Sequence, residues 1–338
     1  MKKYVSRVLS GLGGGVLLNF LFVSPALAHV KWFVETEEIV AKETTHYALT
    51  DPFVMMWIAV IVLTVLVAFL LDIVLPEPKA KIFKKAEKWK SVIYKIFAIT
   101  IGVNFLLEAY LGAVFAPPFK VVSTFEFALV GLQVLLGLML TFGVKVRWAA
   151  AGIVLLYLGS MMSYGVMPLL DEVFMIGVAA FLFLEHPESY TWSKEYEAYA
   201  IPLLRVFSGI ALIVLAFSEK FLHPELGLNF LNEFHWNFMQ MLGIADFSNL
   251  MFVFSAGAME FLFGTILILG FIPRINMFAT AFFFTITFIL LGPIEVIGHM
   301  PIFVTALVII LYGGGERLNF RELIPHKKRS KVAALFGR

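Results

Sequence analysis

The sequence predicts an all-α polytopic membrane protein, made of two tandem four-helix bundle units and one extra N-terminal transmembrane helix. Of its 338 residues, 60% are hydrophobic and only 15% are charged, and the mean hydropathy is +0.90. Soluble domains carry about 45–50% apolar and about 25% charged residues, so most of this chain must be solvated by lipid. Backbone groups in hydrocarbon need partners within their own segment, which makes the spans helical.

The composition excludes several function classes. A formal net charge of +2 predicts no nucleic-acid partner, and the absence of cysteine excludes disulfides, zinc–thiolate sites and iron–sulfur clusters. We expect no haem either, because no predicted helix interior holds two histidines at matching depth. An enzyme (such as a subunit of a quinone-linked oxidoreductase), a transporter and an assembly factor all stay open.

The first 28 residues have the pattern of a secretory signal peptide, and segment 29–52 is predicted to lie outside the cytoplasmic membrane. Cleavage would make His29 the mature amino terminus, whereas an uncleaved segment would remain as an anchor. The basic region, the apolar stretch and the small-x-small cleavage site are Lys2, Lys3 and Arg7, residues 16–23, and Ala26-Leu27-Ala28.

Hydropathy predicts nine spans, most of them near the length that crosses about 30 Å of hydrocarbon. The extra helix (53–76) comes first, and the two four-helix units cover 92–185 and 201–313. In chain order the spans are 53–76, 92–115, 121–142, 148–165, 167–185, 201–222, 249–271, 275–292 and 296–313.

The distribution of lysine and arginine predicts the orientation of the chain in the membrane. Loop 77–91 carries six lysines, and tail 314–338 carries seven basic residues, so the positive-inside rule puts both in the cytoplasm. We therefore expect a multi-pass protein of the bacterial inner membrane with its mature N-terminus outside. The basic tail is predicted to lie on anionic lipid head groups, although a protein partner is an alternative.

Glycines and arginines recur between the two units. Because four spans per unit is an even number, the units should have the same orientation and form parallel repeats. The second unit has a longer connection within 225–250, which is predicted to form an amphipathic helix on the outer face. The matching pairs are Gly102 and Gly209, Pro117 and Pro224, Gly137 and Gly264, Gly143 and Gly270, Arg147 and Arg274, and Gly165 and Gly292.

Five short motifs mark the second unit. They are Leu204-Arg205-Val206-Phe207-Ser208-Gly209, Ser218-Glu219-Lys220-Phe221, His223-Pro224, Met259-Glu260-Phe261-Leu262-Phe263-Gly264 and the turn from Gly270 to Arg274. With them, residues 204–313 resemble the DoxX/DoxD-like family of four-helix bacterial membrane proteins. Residues 92–185 resemble the same pattern, with Gln133 in place of Glu260. The resemblance implies association with quinone-linked sulfur-compound oxidation and other membrane redox systems, often as a subunit.

Ionisable residues within the spans are the candidate site. A charge in hydrocarbon costs about 2.5 kcal/mol or more on insertion scales, so each such residue is a functional candidate. Most are predicted to lie in the outer half of the bundle. The proposed substrate or proton site consists of Glu108, Glu126, Glu172, Glu219, Glu260 and His299.

Structural roles compete with function at several of these positions. An acid near a helix N-terminus, such as Glu126 or Glu172, can instead cap unsatisfied amides. Glu219 can pair with its neighbour Lys220, and a paired structural role and a ligand role are equally supported for Glu260. We expect Glu108, Glu260 and His299 to point into the protein, because an unpaired charge facing lipid is costly. They form either one joint cavity between the units or two separate sites, one per unit, of which Glu260 and His299 make the more complete one.

Two function hypotheses follow from these residues. In the first, the outer acidic cluster engages quinone or quinol and accepts its protons, in a membrane redox system with other redox subunits. In the second, the chain transports a substrate or handles metal, and Glu108, Glu260 and His299 line the path. A free His29 would offer its amine and its imidazole to copper.

Overall fold

The computed structural model describes the part of the chain that contains the predicted spans. The signal peptide, His29 and most of the basic tail lie outside the described residues, which are 46–75, 80–185, 194–291, 293–315 and 317–323. Those residues contain no strand. Nine of their helices lie at the positions of the predicted spans. They are α1 Pro52–Val74, α2 Lys90–Tyr110, α3 Thr124–Thr141, α4 Val146–Tyr164, α5 Phe174–Leu184, α6 Ala200–Ala216, α7 Asn249–Leu269, α8 Pro273–Leu291 and α9 Pro293–Tyr312.

Length and composition make the chain a multi-pass membrane protein. Within the described ranges, six helices are long and apolar enough to cross a membrane, and a bent pair can provide a seventh. The bent pair is the fifth predicted span: Val166–Glu172 and Phe174–Leu184 meet at 52°. The expectation of one continuous span at 167–185 therefore needs correction, because Leu170–Glu172 forms a 3-10 turn between the two parts.

Local side chains define where several helices begin and end. The Asp51 carboxylate accepts a hydrogen bond from Phe53 N at the start of α1 (2.8 Å), and Ser248 Oγ accepts one from Met251 N at the start of α7 (3.2 Å). Such caps satisfy amides that have no partner within the helix. At its other end α7 stops at Gly270, whose φ of 77° is left-handed.

Two close helix crossings organise the bundle. A Cβ atom on Gly102 of α2 would lie 2.7 Å from the carbonyl oxygen of Gly137 on α3, and one on Gly209 of α6 would lie 2.7 Å from that of Gly264 on α7. Small residues allow backbones to approach this closely in membranes. In addition, α5 packs against α6 and α9 packs against α2. The helices of 92–185 and those of 201–313 therefore meet along two helix pairs.

The extra helix α1 is fastened to the second group of helices. Ala68 packs with Leu262 and Ile266 of α7. Near the end of α1, the Asp72 carboxylate pairs with Arg321 (2.6 Å) and accepts a hydrogen bond from Ile272 N (3.1 Å). The ion pair joins α1 to the part of the tail that the structure describes.

Buried polar groups also hold the end of the bundle where α7 stops. Arg205 is fully buried and donates to the carbonyls of Ile268 (3.0 Å), Gly314 (3.1 Å) and Leu318 (2.7 Å). At the same end Lys90 pairs with Glu185 at 2.5 Å. Burial raises the pKa of the Glu185 carboxyl, and the Lys90 ammonium opposes that rise. These residues stabilise helix ends and leave the opposite end of the bundle for the candidate site.

The longer connection of the second unit contains the helix Pro224–Phe234. Its Phe230 and Leu231 pack with Val253 of α7. This helix covers the end of the bundle that holds Glu108 and Glu172, which we call the acidic end, and it forms one wall of the groove described next.

Candidate functional site

A groove of about 620 Å³ opens at the acidic end of the bundle. Most of its walls are apolar and come from the end of α4, the segment before α5, α6 and the helix Pro224–Phe234. This volume lies in the range of about 300–1,000 Å³ that is usual for small-molecule sites. The polar side chains in its lining are Asp171, Glu172, Ser218, Glu219 and His223.

A smaller central cavity of about 50 Å³ adjoins the groove. Asn104 of α2, Ser208 of α6 and His299 of α9 line it. Asp171, Glu172 and Leu215 belong to the linings of both spaces, so they form the boundary between them. The groove and the central cavity therefore adjoin and make one candidate site. Both linings are mostly apolar, with a few polar side chains.

The break before α5 places the acidic boundary residues. Asp171 and Glu172 lie in the 3-10 turn Leu170–Glu172, where the chain changes direction. Ser218 Oγ donates a hydrogen bond to Asp171 Oδ1 at 2.9 Å. Glu172 is 9% exposed. The bend therefore turns two carboxyl groups inwards, towards α6.

A second irregular helix places His299. Pro301 has no N–H, so the carbonyl of Ile297 lacks its normal helical donor. Asn104 Nδ2 supplies that donor from α2 at 2.8 Å. Because a carbonyl can only accept, this bond also fixes the orientation of the Asn104 amide. His299 lies between these two positions, with its ring against Phe284 at a centroid distance of 4.5 Å.

Glu108 lies one helical turn beyond Asn104. It is 1% exposed, and neither of its carboxyl oxygens accepts a hydrogen bond from the described residues. The charged group that acts on it electrostatically is Glu172. A buried acid without a partner is costly in its ionised form, so Glu108 is the candidate in this region for a carboxyl group that holds a proton.

Lys220 forms ion pairs with two of the other candidate residues. It lies in the π-helical turn Phe217–Phe221, an element found frequently at functional sites. Its Nζ is 3.2 Å from Glu219 Oε2 and 3.1 Å from Glu260 Oε2. The sequence predicted pairing of Glu219 with Lys220, and the structure adds Glu260 to that pair.

Glu126 caps a helix. Its Oε2 accepts hydrogen bonds from the backbone N–H groups of Val122 (2.7 Å) and Ser123 (2.9 Å), and its Oε1 accepts one from Ser163 Oγ (2.7 Å). Ser123 Oγ in turn accepts from Glu126 N, which completes a capping box at the start of α3. These contacts give Glu126 a structural role.

The structure divides the predicted site residues into separate groups. Glu172 and His299 line the central cavity, and Glu219 lines the groove. Glu108 is close enough to Glu172 to feel its charge. Glu260 lines neither of the two described spaces and pairs with Lys220, so a site shared by Glu260 and His299 stays a prediction.

Sequence reasoning missed Asn104 as a site residue. Two signals could have found it: its position one turn before Glu108, and Pro301 inside a predicted span, which must leave one carbonyl free. Neither signal names the partner, because Asn104 and Ile297 are far apart in sequence.

Within the described ranges, no group of three or more histidine, aspartate or glutamate side chains could hold a metal ion. His29, the predicted copper ligand, lies outside those ranges. Comparisons with protein-family models, with curated proteins and with solved structures give no match. Function therefore has to be inferred from the fold and the geometry of the site.

Proposed function

We propose that this multi-pass membrane protein binds a quinone or quinol in the groove, as a component of, or accessory to, a quinone-linked redox system of the bacterial inner membrane. The observation that carries the proposal is a largely apolar groove that shares two carboxyl side chains, Asp171 and Glu172, with an adjoining cavity. The family resemblance of residues 204–313 to DoxX/DoxD-like proteins supports the same function class.

A quinone matches both parts of this site. Its isoprenoid tail and ring would pack on apolar residues of the groove such as Ile213, Val214 and Phe217. Its oxygens would reach Asp171 and Glu172, where the groove meets the cavity. A site of this kind, apolar with a few convergent polar groups, is the usual form of a small-molecule pocket.

The acidic residues would handle protons rather than electrons. Oxidation of a quinol releases protons, and a carboxylate within hydrogen-bond reach can accept them. Asp171 and Glu172 are the best placed acceptors because both border the groove and the cavity. The electrons would pass to a redox partner subunit.

Two tandem copies of one four-helix unit would explain how the site arises. Arg147 Nε donates to the carbonyl of Phe183 at 3.1 Å, and Arg274 Nε donates to that of Ile310 at 3.2 Å, which are matching positions of the predicted repeat. The glycine contacts of α2 with α3 and of α6 with α7 match in the same way. The site then lies where the two units meet.

Transport is the second candidate function, and one observation favours it. Irregular helices occur at corresponding places of the two proposed units: the break before α5 and Pro301 in α9. Interrupted helices in corresponding positions of repeats mark the binding sites of many transporters. The metal-handling form of this alternative has no site among the described residues.

Quinone binding can be measured directly on the full chain in lipid nanodiscs. We expect a short-chain quinone to bind the wild type, and Val214→Trp, which fills the groove, to weaken binding at least roughly tenfold, or about 1.4 kcal/mol. Val60→Trp, at an exposed position of α1, is the matched control and should bind as the wild type does. Equal affinity in all three proteins would show that the groove is not the quinone site.

A further inference from the structure

The surroundings of Asn104 and Glu108 contain unused hydrogen-bond acceptors. Both residues are 1% exposed and lie one turn apart on the same side of α2. Asn104 Oδ1 and both carboxyl oxygens of Glu108 accept no hydrogen bond from the described residues. Buried acceptors without donors are costly, so this region favours a species that brings a hydrogen.

Polar groups from three elements lie near Glu108 or line the adjoining cavity, and two of these groups are titratable. The segment before α5 contributes Glu172, which acts on Glu108 electrostatically. Helix α9 contributes His299, which lines the central cavity together with Asn104 and Glu172. Helix α3 contributes the neutral Gln133, which donates to the carbonyl of Phe105 at 3.0 Å. Two neighbouring carboxyl groups away from water resist being ionised together, and a proton relieves that repulsion.

We propose that Glu108, with Asn104 and Glu172, forms a buried proton-binding site that exchanges its proton with the groove through the central cavity. The site does not depend on what occupies the groove. Glu108 holds the proton in its carboxyl O–H. Glu108 is not part of the cavity lining, but Asn104, one turn away, is. On transfer the O–H bond of Glu108 breaks and an O–H bond forms on a water beside Asn104. That water passes one of its protons through the cavity to Glu172, and Glu108 is left ionised.

The size of the central cavity fits this route. A cavity needs about 10–15 Å³ of such space to hold one water, so about 50 Å³ has room for a short chain of waters. The lining provides polar partners for them in Ser208, His299 and Glu172. Asp171 and Glu172 continue into the groove, which gives the proton a way out at the acidic end.

Infrared spectroscopy of the full chain in lipid tests the proton position at neutral pH. We expect the wild type to show the carbonyl stretch of a protonated carboxylic acid, and Glu108→Gln, which mimics the neutral acid in shape, to lose it. Glu126→Gln, which changes the capping acid, is the matched control and should keep the band. Retention of the full band in Glu108→Gln, or its absence in the wild type, would overturn the proposal.

Two further measurements keep the proposal testable if Glu108→Gln does not fold. Glu172→Gln should keep the band, because it removes only the neighbouring carboxylate; loss of the band there would place the proton on Glu172 and overturn the assignment. Replacing choline chloride by sodium chloride should not change the band of the wild type. A sodium-dependent loss would instead identify a metal-cation site.

Transfer into heavy water tests the route. The band should shift as deuterium replaces the proton, and Ala211→Leu, which narrows the central cavity, should slow this shift by several fold. Ala281→Leu, on a partly buried position of α8 outside the cavity lining, is the control. An unchanged exchange rate in Ala211→Leu would show that the proton does not pass through the cavity.

Discussion

At the α2–α3 crossing Gly102 lies against the carbonyl of Gly137, and at the α6–α7 crossing Gly209 lies against that of Gly264. The side chains beside the two contacts differ. At the first crossing Gln133 accepts a hydrogen bond from Phe115 N at 2.8 Å and donates to the carbonyls of Phe105 (3.0 Å) and Ala113 (3.2 Å). The second crossing has an ion cluster.

The ion cluster consists of Lys220 with Glu219 and Glu260. The side-chain amide of Gln133 does not titrate, and its hydrogen bonds to backbone groups hold the loop in one geometry. One ammonium between two carboxyl groups depends on charge instead, because loss of any member leaves an uncompensated group away from water. The same kind of glycine contact between two helices can therefore border a rigid region or a region whose stability depends on charge.

The largest expected effect is at Lys220. Lys220→Met should destabilise the protein by about 3–5 kcal/mol, because it removes the cation from a buried ion cluster. The double variant with Glu260→Gln should recover part of this loss. Gln133→Leu is the counterpart at the first crossing and should cost about 1–3 kcal/mol, through unpaired backbone groups. Chemical denaturation in detergent measures the free energy of unfolding of all three variants. Equal losses at the two crossings would contradict the expected difference between the amide and the ion cluster.

The glycine contacts should behave alike at both crossings. Gly102→Ala and Gly209→Ala should each cost about 1–3 kcal/mol by overpacking, because the added Cβ would lie 2.7 Å from a backbone oxygen that no rotamer change can move. Gly131→Ala is the control on the same helix as Gly137: nothing lies within 4 Å of its Cβ, so the variant should be neutral or slightly more stable. Thermal unfolding tests the series, and a neutral Gly209→Ala would mean that α6 and α7 are farther apart.

Two arginines at matching positions of the predicted repeat should show the smallest effects, and they test whether the two units are equivalent. Arg147→Gln and Arg274→Gln should each destabilise by about 1 kcal/mol, since each loses a hydrogen bond to a carbonyl at the end of the fourth helix of its unit. The two losses should agree within about 0.5 kcal/mol and should add in the double variant. A large loss at one arginine and none at the other would argue against two equivalent units.

Much of the fold could be predicted from local signals in the sequence. Hydropathy located the helices because lipid imposes a minimum length, and Ser123 with Glu126 shows the start of α3 by spacing alone. The break before α5 was missed although Asp171 and Glu172 lie in it, because mean hydropathy over a whole span does not register a bend.

The candidate site was harder to predict because its contacts are distant in sequence. Glu108 and His299 were found from their cost in hydrocarbon, which is a property of each residue alone. The bond from Asn104 to Ile297, the electrostatic effect of Glu172 on Glu108 and the pairing of Glu260 with Lys220 depend on which helices pack together. Hydropathy and charge do not determine those neighbours.

The central claim is that quinone occupies the groove beside Asp171 and Glu172. A second groove of similar volume, about 560 Å³, runs along α1 and is lined only by apolar residues such as Leu63 and Leu66, so it offers an internal comparison. Photolabelling of the full chain in nanodiscs with an azidoquinone, followed by peptide mapping, distinguishes the two. The account predicts label on residues 167–172 and 213–219, reduced by excess unlabelled quinone. Label confined to α1, or label that excess quinone does not reduce, would contradict it.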